Sequence, residues 1–381
     1  MKPHCIHTVI LKCVSICNLS CDYCSADCAS HHFRTLNPDF ALVSFCKLLE
    51  ENYISKRCKI LWHGGEPTLF NAEKADKLMS EMIQCANRAG VKLAFIMQSN
   101  GFHICDQWYK LIEKYRINMG ISLDGPPEIH DLYRHTASGE GSYVNVIKNI
   151  DKLINSDNSV SLLSVIDHRH INKAELFFNW YSELKLPIKL NPYFSSDISK
   201  NEFQNYFEFL KEIFTISLNS DQDFSIEPLG SILCGILWDK TVPECNYSGN
   251  CGKGIICLDY DGQISICSRL SEEKECSLKI NADMIHEQFI ELSEVAAKKN
   301  QTRQELLNCN VCQYFKLCHG GCSAYLNSKN AFSYCIAIKN FFRYIEEPGL
   351  ILLKQRLLRE KQKLQDFQKK QMLDISKNEN S

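Results

Sequence analysis

Three cysteines within one short run, Cys17-Asn18-Leu19-Ser20-Cys21-Asp22-Tyr23-Cys24, constrain this chain more than any other feature. They follow the apolar run Thr8 to Val14, so a strand delivers three thiols on one loop. Such a loop suits a cubane iron–sulfur cluster, which takes thiolates and here leaves one iron without a protein ligand. A closed structural site supplies four ligands, as zinc ribbons do, whereas an open iron can bind a small molecule. The chain holds 21 cysteines in 381 residues, with no signal-peptide core in Met1 to His7. A cytoplasmic location is therefore expected, where thiols are more often metal ligands or catalytic groups than disulfides. Cys5, Cys13, Cys46, Cys58, Cys85, Cys105, Cys234 and Cys276 lie in apolar or helical contexts without a partner at ligand spacing, and read as small buried hydrophobes. His31 and His32, just past the thiol loop, read as exposed loop residues rather than extra ligands.

From Thr8 to about residue 220, short apolar runs alternate with amphipathic stretches, the pattern of an α/β chain built on a parallel sheet. Strands are expected at Thr8–Val14, Lys59–His63, Lys92–Gln98, Asn118–Leu123, Val160–Val165 and Ile188–Leu190. Asn71 caps a helix with Ala75, Leu78, Met82 and Ile83 on its apolar face and Gly90 at its end; Ser142 begins another, with Val146, Ile147, Ile150, Leu153 and Ile154 on one face. Six βα units rather than eight predict a partial (β/α)6 TIM-like barrel whose open side admits a bulky substrate. Chemistry in such barrels gathers at the C-terminal ends of the strands. There stand His63-Gly64-Gly65-Glu66-Pro67, Gln98-Ser99-Asn100-Gly101 and Ser122-Leu123-Asp124-Gly125-Pro126-Pro127. Adjacent glycines permit close backbone approach to a ligand, and the other two stretches supply polar groups, although Asn-Gly and Asp-Gly are also ordinary turn formers.

The thiol loop and the Gly-Gly-Glu-Pro loop about forty residues beyond it resemble the signature of radical S-adenosylmethionine (SAM) enzymes. The run from Ile121 to Arg134, ISLDGPPEIHDLYR, resembles the corresponding stretch of anaerobic sulfatase maturases and related peptide-modifying enzymes. The resemblance implies a [4Fe–4S] cluster on Cys17, Cys21 and Cys24 whose open iron chelates S-adenosyl-L-methionine. It further implies cofactor contacts from Gly64, Gly65, Glu66, Pro67, Gln98, Asn100, Ser122, Asp124 and Arg134, with Arg134 pairing the methionine carboxylate.

Beyond residue 230, Cys245, Cys251, Cys257 and Cys267 are followed by Cys309, Cys312, Cys318, Cys322 and Cys335. Apolar runs flank Asp261-Gly262, a β-hairpin signal that brings Cys251 and Cys267 back together. The spacing alone suits zinc as well as iron. These residues resemble the SPASM extension, which carries two auxiliary [4Fe–4S] clusters. That resemblance assigns Cys245, Cys251, Cys267 and Cys322 to one cluster and Cys309, Cys312, Cys318 and Cys335 to the other. Cys257 is left as a packing residue or an alternative ligand. The expected organisation is a barrel over 1–230, a small cysteine-rich SPASM domain of hairpin and helices over 231–345, and a charged helical or disordered tail over 346–381. The tail, with Leu353, Leu357, Leu364 and Phe367 at helical intervals, is expected to pack on the auxiliary domain.

A formal charge of −2 leaves no electrostatic footprint for nucleic acid, and no apolar run approaches the roughly 20 residues of a membrane span. Neither nucleic acid nor membrane is therefore an expected partner. A precursor peptide or protein is, with a reducing partner such as ferredoxin or flavodoxin. Sulfatase maturases place an aspartate, as base, directly after the third cysteine of the auxiliary domain; here Ser268 follows Cys267. A serine is a poor proton acceptor. This ranks modification of a ribosomally made peptide, by crosslink, thioether or epimerisation, ahead of formylglycine formation. A zinc-stabilised nucleic-acid-binding module is the reading from another class. Sixteen residues precede Cys17, so leader recognition is expected to use the open barrel side, the segment between domains or a separate protein.

Overall fold

Strands buried on both faces of a parallel sheet need near-continuous apolar side chains, and the barrel strands supply them. The computed structural model describes residues 6–24, 33–193, 200–249, 251–271, 273–324, 326 and 330–378. Cys5, His31 and His32 lie outside the described residues. The first half alternates β1 (Ile6–Lys12), α1 (Pro38–Glu50), β2 (Ile54–His63), α2 (Ala72–Arg88), β3 (Lys92–Ser99), α3 (Asp106–Tyr115) and β4 (Asn118–Ser122). It continues through α4 (Pro127–His130), α5 (Tyr143–Asn155), β5 (Val160–Ile166), α6 (Ala174–Leu184), β6 (Ile188–Pro192) and α7 (Lys200–Asn219). β1 to β6 run parallel in sequence order, so their C-terminal ends share one mouth.

Caps and buried faces explain the helices. Asn71 accepts the Lys74 amide, and Ala75, Leu78 and Met82 turn α2 into the core as the sequence predicts, joined by Met79, while Ile83 is only partly buried. Asn37 caps α1, a helix the sequence reading passes over, with Pro38 at its first position. Ser142 precedes α5, but its hydroxyl donates to the Arg134 carbonyl instead of capping, and Ile154 falls on the solvent side. Cys46 of α1 and Cys85 of α2, expected as separate packing residues, are joined as a disulfide between neighbouring helices with Cα atoms 6.2 Å apart.

The second half holds β7 (Ile226–Glu227), α8 (Leu229–Leu237), β8 (Ile255–Leu258), β9 (Gln263–Ser265), β10 (Ser277–Lys279), α9 (Ile285–Leu306), α10 (Phe315–Cys318), α11 (Ala331–Tyr344) and α12 (Leu350–Asn378). The predicted hairpin is present. Gly262 sits at φ +69° in its turn, and Asp259 accepts the amides of Asp261 and Gln263. Its first strand, however, lies parallel to β1, Thr8 opposite Ile255 and Leu11 opposite Leu258. The cysteine-rich part thus extends the barrel's own sheet, in the order β10-β9-β8-β1-β2-β3-β4-β5-β6-β7. The C-terminal helix packs on α7 rather than on the auxiliary region: Arg356 donates to the carbonyls of Ser217 and Gln222, and Arg359 to that of Leu218. Leu353 is partly buried there and Leu357 is exposed, while the side chains of Leu364 and Phe367 lie outside the described residues. No helix of the described residues is long and apolar enough to cross a membrane.

Because β8 shares a core with β1, Ile256→Ala, at a fully buried position, should cost about 2–5 kcal/mol. Chemical denaturation should lower barrel and auxiliary-region signals in one transition, not two.

Candidate active site at the barrel mouth

The thiol loop is held in place by backbone. Gly65 N–H donates to Val14 O at 2.7 Å and Glu66 N–H to Ile16 O at 2.8 Å, so the loop after β2 lies flat against the chain leading to Cys17. A Cβ on Gly65 would sit 2.0 Å from Ile16 O, and one on Gly64, at φ +133°, 2.6 Å from Val14 O. Both glycines are therefore required by close approach to protein, whatever else they touch. Cys17 and Cys21 are partly exposed and Cys24 is exposed. The Cys21 thiol is pushed up to about 12, first by burial, then opposed by Arg134, with Cys24 and Cys17 near enough to raise it further. The Cys17 sulfur receives the Leu19 amide and the Asn100 side-chain amide, each at 3.4 Å.

Glu66 is fully buried and both its oxygens are committed. Oε1 accepts from Thr68 N, Thr68 Oγ1 and Ser99 Oγ; Oε2 accepts Asn100 N at 2.7 Å. Burial raises its pKa and these donors oppose the rise. Its side chain ties the loops after β2 and β3 together, and Pro67 begins a short 3-10 turn behind it. Asn100 extends the tie to the thiol loop through Asn18 Oδ1, 2.8 Å away. Gln98 donates to Ser122 Oγ at 3.1 Å, bringing the two predicted strand-end groups into contact.

Asp124 and Arg134 form a buried pair: Nε reaches Oδ2 at 2.9 Å and Nη2 reaches Oδ1 at 3.4 Å. The Val165 amide also donates to Asp124. Burial alone would raise the Asp124 carboxyl, but Arg134 first, then His130 and Arg169, outweigh it and hold the group at about 2. Tyr23, between Cys21 and Cys24, donates to Asp124, and the guanidinium carbons of Arg134 and Arg169 each lie 5.3 Å from its ring centre. Arg169 chelates Asp167 through Nε, at 2.7 and 2.8 Å, and lies over the Tyr133 ring at 3.9 Å. Tyr23, Tyr133, Asp167 and Arg169 are the site residues that sequence reasoning missed. Their signal was the charged run Asp167-His168-Arg169-His170 directly after β5, another strand end.

The later thiols gather in the two expected groups. Cys245 is pushed up to about 12 by burial and by Cys322, Cys267 and Cys251 around it. Cys318, also near 12, has Cys309, Cys312 and Cys335 as its thiol neighbours, and these four line one small concavity. Cys257 is fully buried within β8 and belongs to the sheet. Among the described residues, no group of three or more His, Cys, Asp or Glu side chains stands at the spacing that would hold a single metal ion.

Residues 11–176 match the model of the radical SAM superfamily. The chain is 28% identical over 358 residues to a cysteine-type anaerobic sulfatase-maturating enzyme of Clostridium perfringens, covering 86% of this chain and 93% of that protein. It is 22% identical over 366 residues to a serine-type anaerobic sulfatase-maturating enzyme of Bacteroides thetaiotaomicron, with coverages of 87% and 84%. Among solved structures it is similar to native anSMEcpe with bound AdoMet and a peptide, at TM-score 0.78 and 21% identity, covering 91% of this chain and 99% of that one. Streptococcus suis SuiB bound to S-adenosylmethionine is similar at TM-score 0.59 and 13% identity, with coverages of 86% and 77%.

Two outcomes follow from this geometry. Gly65→Ala must move the thiol loop or the Gly-Gly loop, at a cost of about 2–4 kcal/mol, and is expected to abolish iron loading on Cys17, Cys21 and Cys24, measured in a variant lacking the eight later clustered thiols. With Cys21, Cys245 and Cys318 held near 12, iron uptake must expel thiol protons. Uptake followed in weak buffer should acidify the solution and weaken steadily as pH falls.

Proposed function

We propose that this chain, whose residues 11–176 form a radical SAM domain, is a maturase that uses S-adenosyl-L-methionine to modify one residue of a peptide or protein. What carries the reading is the gathering of Cys17, Cys21 and Cys24 at the mouth of a partial barrel, on a loop backed by two glycines. Three thiolates hold three corners of a [4Fe–4S] cluster and leave the fourth for the amino and carboxylate groups of the cofactor. When bound, cluster and sulfonium together supply a carbon radical able to take a hydrogen atom from an unactivated substrate carbon.

The chain's own residues bind and orient. The Gly64–Gly65 backbone lines the cluster side, with Glu66 and Pro67 fixing its path. Gln98 and Ser122, already in contact, face the cofactor's ribose, and Asn100 steadies Cys17. Arg134, held on Asp124, would meet the cofactor's carboxylate. Cys245, Cys251, Cys267 and Cys322, and Cys309, Cys312, Cys318 and Cys335, would hold two auxiliary [4Fe–4S] clusters suited to electron transfer, and a ferredoxin- or flavodoxin-like protein in the cytoplasm would supply the reducing equivalent.

The ranking drawn from the sequence is reversed. We rank formylglycine formation first, which similarity to both cysteine-type and serine-type sulfatase-maturating enzymes over more than four-fifths of the chain supports, and the higher identity to the cysteine type favours a cysteine target. Ser268, where those enzymes carry an aspartate, is the specific observation that keeps precursor-peptide modification as a second reading.

The test is anaerobic reconstitution, analysis of iron and acid-labile sulfide, and incubation with dithionite, S-adenosyl-L-methionine and a sulfatase-derived cysteine peptide. Formation of 5′-deoxyadenosine with an aldehyde-reactive peptide is expected, and Cys21→Ala should abolish both. 5′-Deoxyadenosine without aldehyde would move the second reading to first place, and zinc without sulfide would remove both.

A further inference from the structure

Ser268 leaves a question of proton traffic, because formylglycine formation strips the target side chain of a proton as well as a hydrogen atom. The residues opposite Ser268 answer it with cations rather than a carboxylate. His63 ends β2 and is the register partner of Lys12 at the end of β1. Lys12 Nζ donates to Ser271 Oγ at 2.5 Å, and Ser271 Oγ donates to the Ser268 carbonyl at 2.9 Å. The Lys12 ammonium thus stands directly behind Ser268. The charges whose fields reach the His63 ring are Lys12 and Arg269, from β1 and from the loop after Cys267. The ring thus lies within the field of Arg269, the residue after Ser268.

The hydrogen bonding fixes what His63 offers. Gly64 N–H donates to Nδ1 at 2.8 Å, so the neutral ring carries its proton on Nε2. Burial, Lys12 and Arg269 together lower the ring's pKa to about 4, keeping it neutral. The remaining titratable neighbour, Cys13, donates its thiol to the His63 carbonyl at 3.0 Å and is held protonated by burial. His63 remains partly exposed at the end of β2. His63 is an Nε2–H donor with no acidic group acting on its ring among the described residues, and the Lys12 ammonium beside it in register also lies within reach of the Asp259 carboxyl. That environment favours the anionic form of a bound group.

We propose, building on the formylglycine reading above, that the target residue is a cysteine bound as its thiolate, gripped by His63 Nε2–H and faced by the Lys12 ammonium. Its thiol proton leaves to solvent as the peptide docks. After the hydrogen atom is taken from the β-carbon, the thiolate-bearing radical loses one electron, for which an auxiliary cluster of the proposed function would be the acceptor, to give a thioaldehyde that water hydrolyses to the aldehyde with release of hydrogen sulfide; no proton remains to be removed from sulfur, so Ser268 need accept none. A serine hydroxyl is far too weak an acid to be ionised by one cation and one hydrogen bond, so the same arrangement selects cysteine over serine.

The direct test needs no turnover. The reconstituted enzyme with S-adenosyl-L-methionine and no reductant is titrated with cysteine peptide by calorimetry in two buffers of different ionisation enthalpy near neutral pH. Release of about one proton per peptide is expected, with none for the serine peptide. In His63→Ala and Lys12→Met release should fall below half and the cysteine-peptide Kd rise at least about ten-fold, with His63→Gln, which keeps an N–H donor, restoring much of it. Ser268→Ala should release the proton as the wild type does. Equal proton release with serine peptide, unchanged release in both His63→Ala and Lys12→Met, or its loss in Ser268→Ala would overturn the assignment. A wild type that docks the peptide with proton release yet forms no aldehyde on reduction would instead count against the formylglycine reading alone.

Discussion

Everything at the barrel mouth depends on one seam of backbone. The chain between Cys13 and Ile16 is bonded edge to edge with His63, Gly65 and Glu66, at 2.7 to 2.9 Å, with no side chain between the two strands' exits. Only glycine fits there, because any Cβ would enter the opposing carbonyls. The thiol loop is thereby fixed relative to β2, and the buried Glu66 carboxylate relays that fixing to β3 through Thr68, Ser99 and Asn100. A carboxylate this buried persists because all its acceptor positions are used. The mouth is rigid because its anchors are internal to the protein.

Around the far side of the mouth the same economy operates with ion pairs. Asp124 with Arg134 and Asp167 with Arg169 are buried pairs on neighbouring strand ends, and the rings of Tyr23 and Tyr133 lie beside them. Buried pairs contribute little net stability but penalise any arrangement that separates them. They fix where Tyr23 stands, and Tyr23 lies within the thiol triplet itself. The mouth therefore has a committed anionic and cationic wall on the β4–β5 side and, on the β1–β2 side, two cations, Lys12 and Arg269, acting on the His63 ring, with Asp259 acting on Lys12 in turn.

Much of this was legible in the sequence because it rests on spacing. The six barrel strands fall where apolar runs predict them, displaced by at most five residues at their ends, and Cys245 and Cys318 each have as thiol neighbours the three cysteines that the resemblance groups with them. What was not legible is contact between distant segments. That β8 would pair with β1 is a long-range choice that no local pattern encodes. Cys46 and Cys85 carry no ligand spacing because helix packing, not sequence proximity, brings them together. Glu66 reads as a ligand group in a Gly-Gly-Glu-Pro run, yet its oxygens are spent on the protein. The tail's amphipathic pattern announces a helix but not that α7 is the surface it covers.

The hairpin's position on the outer side of β1 has a consequence for how the molecule is made. β1 leaves the ribosome some 245 residues before its neighbour β8 does. Until then one side of β1 is a bare row of peptide groups, open to pairing with another chain. The nascent protein must carry an unprotected strand, together with its thiols, through most of its synthesis. Chaperones and iron–sulfur donors would thus meet the same exposed margin, and whichever arrives first decides whether the chain matures or aggregates.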